Sequence, residues 1–153
     1  MIGLIGSYEH TIDSNGRLSI PVRFREYLIT HSDGTIVMTT VPVNSCVVVY
    51  PLPAWNTITE RFRQVEALGA SGIIKDFLRM FYSRAVECLL DKQGRILLPS
   101  QLREYAGLID KETVLVGHVN IFEIWDRSKW QQKEAQTLED PERLQEAMAS
   151  LGI

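Results

Sequence analysis

Cysteine is nearly missing from this chain. Cys46 and Cys88 are the two thiols among 153 residues, far apart and in no Cys-x-x-Cys spacing. That argues against a disulfide framework or a zinc site and for a reducing compartment. Histidine is as sparse: His10, His31 and His118 are scattered and form no His-Glu-x-x-His or comparable metal spacing. There is no Gly-x-Ser-x-Gly elbow, no Gly-x-x-x-x-Gly-Lys phosphate loop and no Gly-x-Gly-x-x-Gly fingerprint. Ser19 and Cys46 lack a histidine that the sequence identifies as a base. The expectation is a protein that is not an enzyme, with no catalytic residue, cofactor, metal or small-molecule substrate.

Charge is missing too, over one long stretch. Nothing between Thr35 and Thr59 is ionisable as an acid or a base of the Asp, Glu, Lys or Arg type. A membrane-spanning helix needs about 20 predominantly apolar residues. This stretch holds Pro42, Pro51 and Pro53 with several Thr, Ser and Asn, and reads instead as two buried strands and a turn. No membrane segment is expected, and the amino terminus shows no signal-peptide progression. Positive charge is not in excess either. The net charge is −3, which does not advertise a nucleic-acid binder. The distribution is uneven, however, since 126–153 carries four basic and six acidic residues. A local arginine cluster can still bind phosphate, especially if oligomerisation repeats it.

What the chain does have is a repeat. Asp13-Ser-Asn-Gly-Arg17-Leu-Ser-Ile-Pro21 returns as Asp91-Lys-Gln-Gly-Arg95-Ile-Leu-Leu-Pro99, and Arg25-Glu26-Tyr27 returns as Arg103-Glu104-Tyr105. Seven of the fifteen residues in 13–27 recur 78 positions later. With 45% hydrophobic and 23% charged residues the chain is an ordinary globular one, built from two copies of one small module.

In the first copy 8–12 reads as a strand, Ser14-Asn15-Gly16 as a tight turn and 17–20 as the returning strand. Asn-Gly is a strong hairpin signal because both residues tolerate positive φ; Gln93-Gly94 keeps the glycine. Pro21 and Pro99 each open a short helix, with Phe24, Tyr27 and Leu28 on one face and Leu102, Tyr105 and Ala106 on the matching one. Strands follow at 36–40 and 46–50, then at 114–117 and 121–125. Pairing Trp55 with Trp130 lowers the offset to 75, so three residues are lost, which a shorter turn would explain. One module cannot cover both its sheet faces, and a single intertwined β-core made of both copies is expected.

Between the copies lie two amphipathic helices. One carries Trp55, Ile58, Phe62 and Val65 and stops at Gly69. The other, over 71–82, carries Ile73, Ile74, Phe77, Leu78 and Phe81. A last helix starts at Asp140-Pro141, with Leu144, Ala147, Met148 and Leu151 as its stripe. The division expected is 7–54 for the first repeat, 55–82 for a helical connector, 83–126 for the second repeat and 127–153 for a helical tail.

The chemistry sits in the Asp-x-x-x-Arg pairs. Across a three-residue turn, Asp13 can pair with Arg17 and Asp91 with Arg95. Such pairs often only pin a turn, for roughly 0–1 kcal/mol when exposed. They can also orient a guanidinium as a fork for phosphate or guanine. For the aspartates the structural role is favoured. For the arginines, repetition beside a projecting turn favours a ligand. Tyr50, Trp55, Trp125 and Trp130 mark a core or interface more readily than a base-stacking platform.

Asp-x-x-Gly-Arg-hydrophobic-x-hydrophobic-Pro followed by Leu102-Arg103-Glu104 resembles the swapped-hairpin modules of AbrB and SpoVT-type transcription factors. Two such copies, both with Asp-x-x-x-Arg, resemble the MraZ family over essentially the whole chain. The resemblance implies an α+β, mainly β fold: a pseudo-symmetric double AbrB-like swapped-hairpin β-barrel core with two inserted amphipathic helices and a C-terminal helix. It implies a sequence-specific DNA-binding regulator, a repressor acting on direct repeats in the promoter of the bacterial division and cell-wall gene cluster. It further implies a closed homo-oligomeric ring, an octamer or dodecamer, in the cytoplasm and associated with the nucleoid. Carried over by position, the motif residues are Asp13, Arg17, Asp91 and Arg95; the double-stranded DNA contacts expected are Arg17 and Arg95, joined by Asn15, Arg23, Arg25 and Lys92 around them. Asp13, Gly16, Asp91 and Gly94 organise the turns. The first copy, with Arg23 and Arg25 against Gln101 and Arg103, is the richer candidate. The competing expectation is an antitoxin-like protein-interaction module built on the same hairpin core.

Overall fold

The uncharged stretch becomes the middle of a sheet. In the computed structural model, which describes residues 2–108 and 111–153, β3 (Thr35–Val41) and β4 (Cys46–Pro51) are adjacent antiparallel strands. Their β-branched side chains suit a pleated surface. β4 is buried along its whole length, as a strand covered on both faces must be. Val47 and Val49 enter one hydrophobic cluster, while Cys46, Val48 and Tyr50 enter another on the opposite face, the alternation a strand imposes.

Four strands flank that pair: β1 (Ser7–Thr11), β5 (Val86–Leu89), β7 (Glu112–His118) and β8 (Ile121–Asp126). The sheet order is β1-β7-β8-β4-β3-β5, all antiparallel. β1 belongs to the first copy yet lies beside β7 of the second, and β5 of the second lies beside β3 of the first. A separate two-stranded ribbon joins β2 (Arg17–Ser19) to β6 (Arg95–Leu97), again one strand from each copy. The copies therefore share one core under α1 (Val22–Ser32) and α4 (Ser100–Tyr105). Ile12, Leu18, Ile20, Phe24 and Leu28 pack there with Ile96, Leu98 and Leu102.

The other sheet face is covered by α2 (Leu52–Ala67) and α3 (Gly72–Ser83). Phe81 is their anchor, stacked on Trp55 at 5.4 Å between centroids, and its carbonyl accepts from the Thr39 hydroxyl at 2.7 Å. α5 (Arg127–Leu138) brings Trp130 to Trp125, and α6 (Pro141–Ser150) follows. The chain is thus a mixed α+β protein with antiparallel sheets and six helices among the described residues. None of those helices is long and apolar enough to cross a membrane.

Several expectations need correction. The strands at 8–12 and 17–20 do not form a ladder with each other; each pairs with the opposite copy. Ile12, Leu18 and Ile20 can then all face the shared core. The turn residue Asn15 does not take a positive φ; Gly16 alone does, at +80°. The turn between β3 and β4 spans 42–45 and that between β7 and β8 only 119–120. Two of the three lost residues go there, and the third goes between helix and strand. The tail holds two helices, not one. α5 has a single half-buried aromatic anchor, Trp130, and so no amphipathic period to read, but Asp126 caps it by accepting from the Lys129 amide. Ile73 and Ile74 lie on the exposed side of α3, and Tyr105 is also exposed, with the Arg84 guanidinium 3.9 Å over its ring.

Candidate nucleic-acid interface

Each copy carries an aspartate-led turn. Asp13 Oδ1 accepts from the amides of Asn15 (2.8 Å) and Arg17 (2.9 Å). Asp91 Oδ1 accepts from those of Gln93 (2.9 Å) and Arg95 (2.8 Å). The last turn residue must be left-handed, and Gly16 and Gly94 supply it at φ +80° and +75°. The two preceding positions keep ordinary φ, which is why Gln93 can stand where Asn15 does. Both carboxyls are held below the ordinary carboxylate value. For Asp13 the main cause is the Arg17 amide, opposed by partial desolvation and helped by the Asn15 amide and the Arg95 charge. For Asp91 it is the Arg95 amide, again opposed by desolvation and helped by the Arg95 guanidinium.

The turns deliver both motif arginines to one surface. In the ribbon Arg17 lies opposite Leu97 and Ser19 opposite Arg95. Leu18 and Ile96 are buried, so by alternation Arg17, Ser19, Arg95 and Leu97 form the outer face. Period-two alternation could have placed Ser19 and Leu97 there from sequence, had the cross-copy pairing been known.

The arginines are held unequally. Arg95 Nε donates to Asp91 Oδ2 at 3.0 Å, and its Nη1 lies 3.9 Å from Asp13 Oδ2. The expected Asp13–Arg17 ion pair is not formed. One Asp13 oxygen serves the turn amides and the other faces Arg95. Among the described residues Arg17 has no carboxylate within ion-pair distance.

The remaining predicted residues divide. Asn15 and Lys92 are exposed at the two turn tips. Arg23 is exposed on α1, beside a cleft of about 330 Å³ lined by Ile2 and Ile5. Arg25 is half-buried: its Nε donates to the Ile20 carbonyl at 2.7 Å. Arg103 mirrors it, its Nε donating to the Leu98 carbonyl at 3.2 Å. Their shared place four residues after Pro21 and Pro99 is the sequence signal for this carbonyl-bonding task.

A family model described as "MraZ protein, putative antitoxin-like" matches residues 4–69 and 81–151. The chain belongs to the MraZ family. It is 44% identical to the transcriptional regulator MraZ of Moorella thermoacetica over 149 residues, covering 97% of this chain and 99% of that protein. The protein of the same name from Desulfitobacterium hafniense is 42% identical over 149 residues, with 97% and 99% covered. That from Caldicellulosiruptor saccharolyticus is 37% identical over 150 residues, with 98% and 99% covered.

Proposed function

We propose that this protein is a sequence-specific DNA-binding transcriptional regulator that reads double-stranded DNA with the outer face of the β2–β6 ribbon. The observation that carries the reading is the Arg17 guanidinium on that face, which has no carboxylate partner among the described residues, beside an Arg95 already held by carboxylates. The major groove is about 12 Å wide and admits a two-stranded β-ribbon, and a guanidinium there can bond bidentately to guanine. Relatives covering nearly the whole chain bear the name transcriptional regulator. Asn15 and Lys92, at the turn tips, would flank the arginines on the duplex. Arg23, exposed on α1, would add a phosphate contact, while Arg25, bonded to the Ile20 carbonyl, would support the neighbouring turn.

The finer reading is a repressor of the bacterial division and cell-wall gene cluster, working on direct repeats in its promoter from the nucleoid. The strands exchanged between copies would form the AbrB-like swapped-hairpin barrel. Direct repeats call for like-facing subunits, which a closed ring of eight or twelve copies supplies. Linked weak contacts then multiply, and the modest charge of one chain ceases to matter. The ring would cover apolar side chains left exposed on α2, at its C-terminal end and on α3: Val65, Leu68, Ile73, Ile74 and Met80.

The deciding experiment is fluorescence anisotropy on a duplex from the chain's own promoter against a scrambled duplex, over a salt series. Preferential, salt-dependent binding is expected. A second reading, an antitoxin-like interaction module, takes its support from the description of the family model. It predicts no preference for either duplex. Light scattering at micromolar concentration tests the ring, and a monomer would remove it.

A further inference from the structure

Arg25 and Arg103 occupy equivalent places in the two copies, and each reaches across to the other copy's turn. A Cβ placed on Gly94 would lie 2.8 Å from Arg25 Nε and 2.5 Å from its Nη1. A Cβ on Gly16 would lie 3.4 Å from Arg103 Nη2 and 3.1 Å from the Leu98 carbonyl oxygen. The side chain of each arginine is therefore laid over the glycine of the opposite turn.

The backbone is wired the same way. The Leu98 amide donates to the Gly16 carbonyl at 2.8 Å, while the Leu98 carbonyl accepts from Arg103 Nε. The Ile20 amide donates to the Gly94 carbonyl at 2.9 Å, while the Ile20 carbonyl accepts from Arg25 Nε. One peptide segment thus joins each arginine to the distant turn on two sides. An arginine suits this task because its Nε bonds the carbonyl while the rest of its planar fork reaches on to the space beside the glycine.

We propose that Arg103, in the second copy, is the positioning residue for the turn that presents Arg17 in the first. Arg25 does the same for the turn that presents Arg95. Arg103 then acts on DNA recognition through Arg17 without touching DNA, and the two reading turns are mechanically crossed. The effect on DNA rests on the function proposed above; the crossed clamp does not.

The test uses the full chain with Arg103→Met and Arg25→Met, which keep an apolar stem and remove the guanidinium. Arg103→Lys serves as a third variant that keeps the charge but not the fork. Without DNA, hydrogen exchange is read at the turn amides. Arg103→Met is expected to speed exchange in 13–17 more than in 91–95, and Arg25→Met the reverse. If each variant loosens only its own copy's turn, or neither, the clamp is overturned.

With promoter duplex, Arg103→Met is expected to weaken specific binding about tenfold, within the range of coupling between residues in one network. The salt slope should stay at its wild-type value, because no phosphate contact is lost. A slope shallower by about 0.9 would make Arg103 a phosphate contact and overturn the assignment. Combined with Arg17→Ala, Arg103→Met should add little further loss, whereas with Arg95→Ala the losses should add. Arg103→Lys binding as wild type would also sink the idea, since charge alone would then suffice. If wild-type protein binds no promoter duplex, the functional reading fails while the exchange result still decides the clamp.

Discussion

Asp13 and Arg95 come from different copies of the repeat and face each other at 3.9 Å. That contact changes what the repeated Asp-x-x-x-Arg motif means. Asp13 does not neutralise the arginine of its own turn, but adds a second carboxylate to Arg95, which Asp91 already holds at 3.0 Å. The side chains involved are a third or more exposed, or close to it, so solvent screening leaves each pair little weight in stability. The consequence is for charge placement: Arg95 is held by two carboxylates, and Arg17 has none within ion-pair distance among the described residues.

Arg17→Ala should therefore weaken specific DNA binding more than Arg95→Ala. A lost bidentate guanine contact costs roughly 1–3 kcal/mol at each site, and linked subunits compound it. Arg95 must give up part of its hold on Asp91 to bind a base, so its removal costs less. Anisotropy on both variants over a salt series checks the order. Equal losses would mean that both turns read DNA alike, and a larger loss at Arg95 would reverse the roles.

Much of this site was legible from spacing. The repeat located both turns, the glycines and the arginines, and the uncharged stretch located the central strands. Pairing partners were not legible, because Asn15-Gly16 is a local signal and the ladder it suggests competes with an equally good one 78 residues away. Only burial decides: joining β2 to β6 puts Leu18 and Ile96 in one core. For the same reason Arg25 read as a surface cation. Its carbonyl partner Ile20 is local, but the glycine it covers belongs to the other copy. α5 escaped because its packing rests on one tryptophan.

Gly94→Ala should destabilise the fold more than Gly16→Ala. Both positions have positive φ, where an L side chain costs roughly 1–2 kcal/mol. At Gly94 the new methyl would also displace the Arg25 side chain, whereas at Gly16 its neighbours stand at 3.1 Å or beyond. Urea denaturation of the two variants tests the ranking. A greater loss at Gly16 would show that Arg25 yields easily.

The turn carboxylates should make stability fall in acid. Asp13 and Asp91 have folded pKa values below the ordinary 3.8. A depressed carboxylate stabilises the fold fully above its unfolded value and loses that contribution as pH falls through its folded value. The loss therefore belongs below pH 3.8, not near neutrality. Asp91→Asn should flatten part of that decline, because an amide cannot titrate there. Melting temperatures between pH 5 and pH 2 provide the measurement, and an unchanged acid limb in Asp91→Asn would remove the residue from it.

Phe81→Ala should loosen the helical face before the ribbon. Phe81 is 1% exposed and sits among Trp55, Phe62 and Phe77 at 5.4, 5.5 and 5.7 Å between centroids. Truncating a buried phenylalanine costs about 3–5 kcal/mol, a large share of the roughly 5–15 kcal/mol that a domain has. The ribbon's inward residues Leu18 and Ile96 pack in the other cluster, across the sheet. Exchange protection should therefore fall first in α2 and α3, while the amides at 13–17 and 91–95 stay protected. A uniform loss over both regions would mean that the two clusters unfold as one unit, and that the helices cannot part from the sheet without taking the ribbon with them.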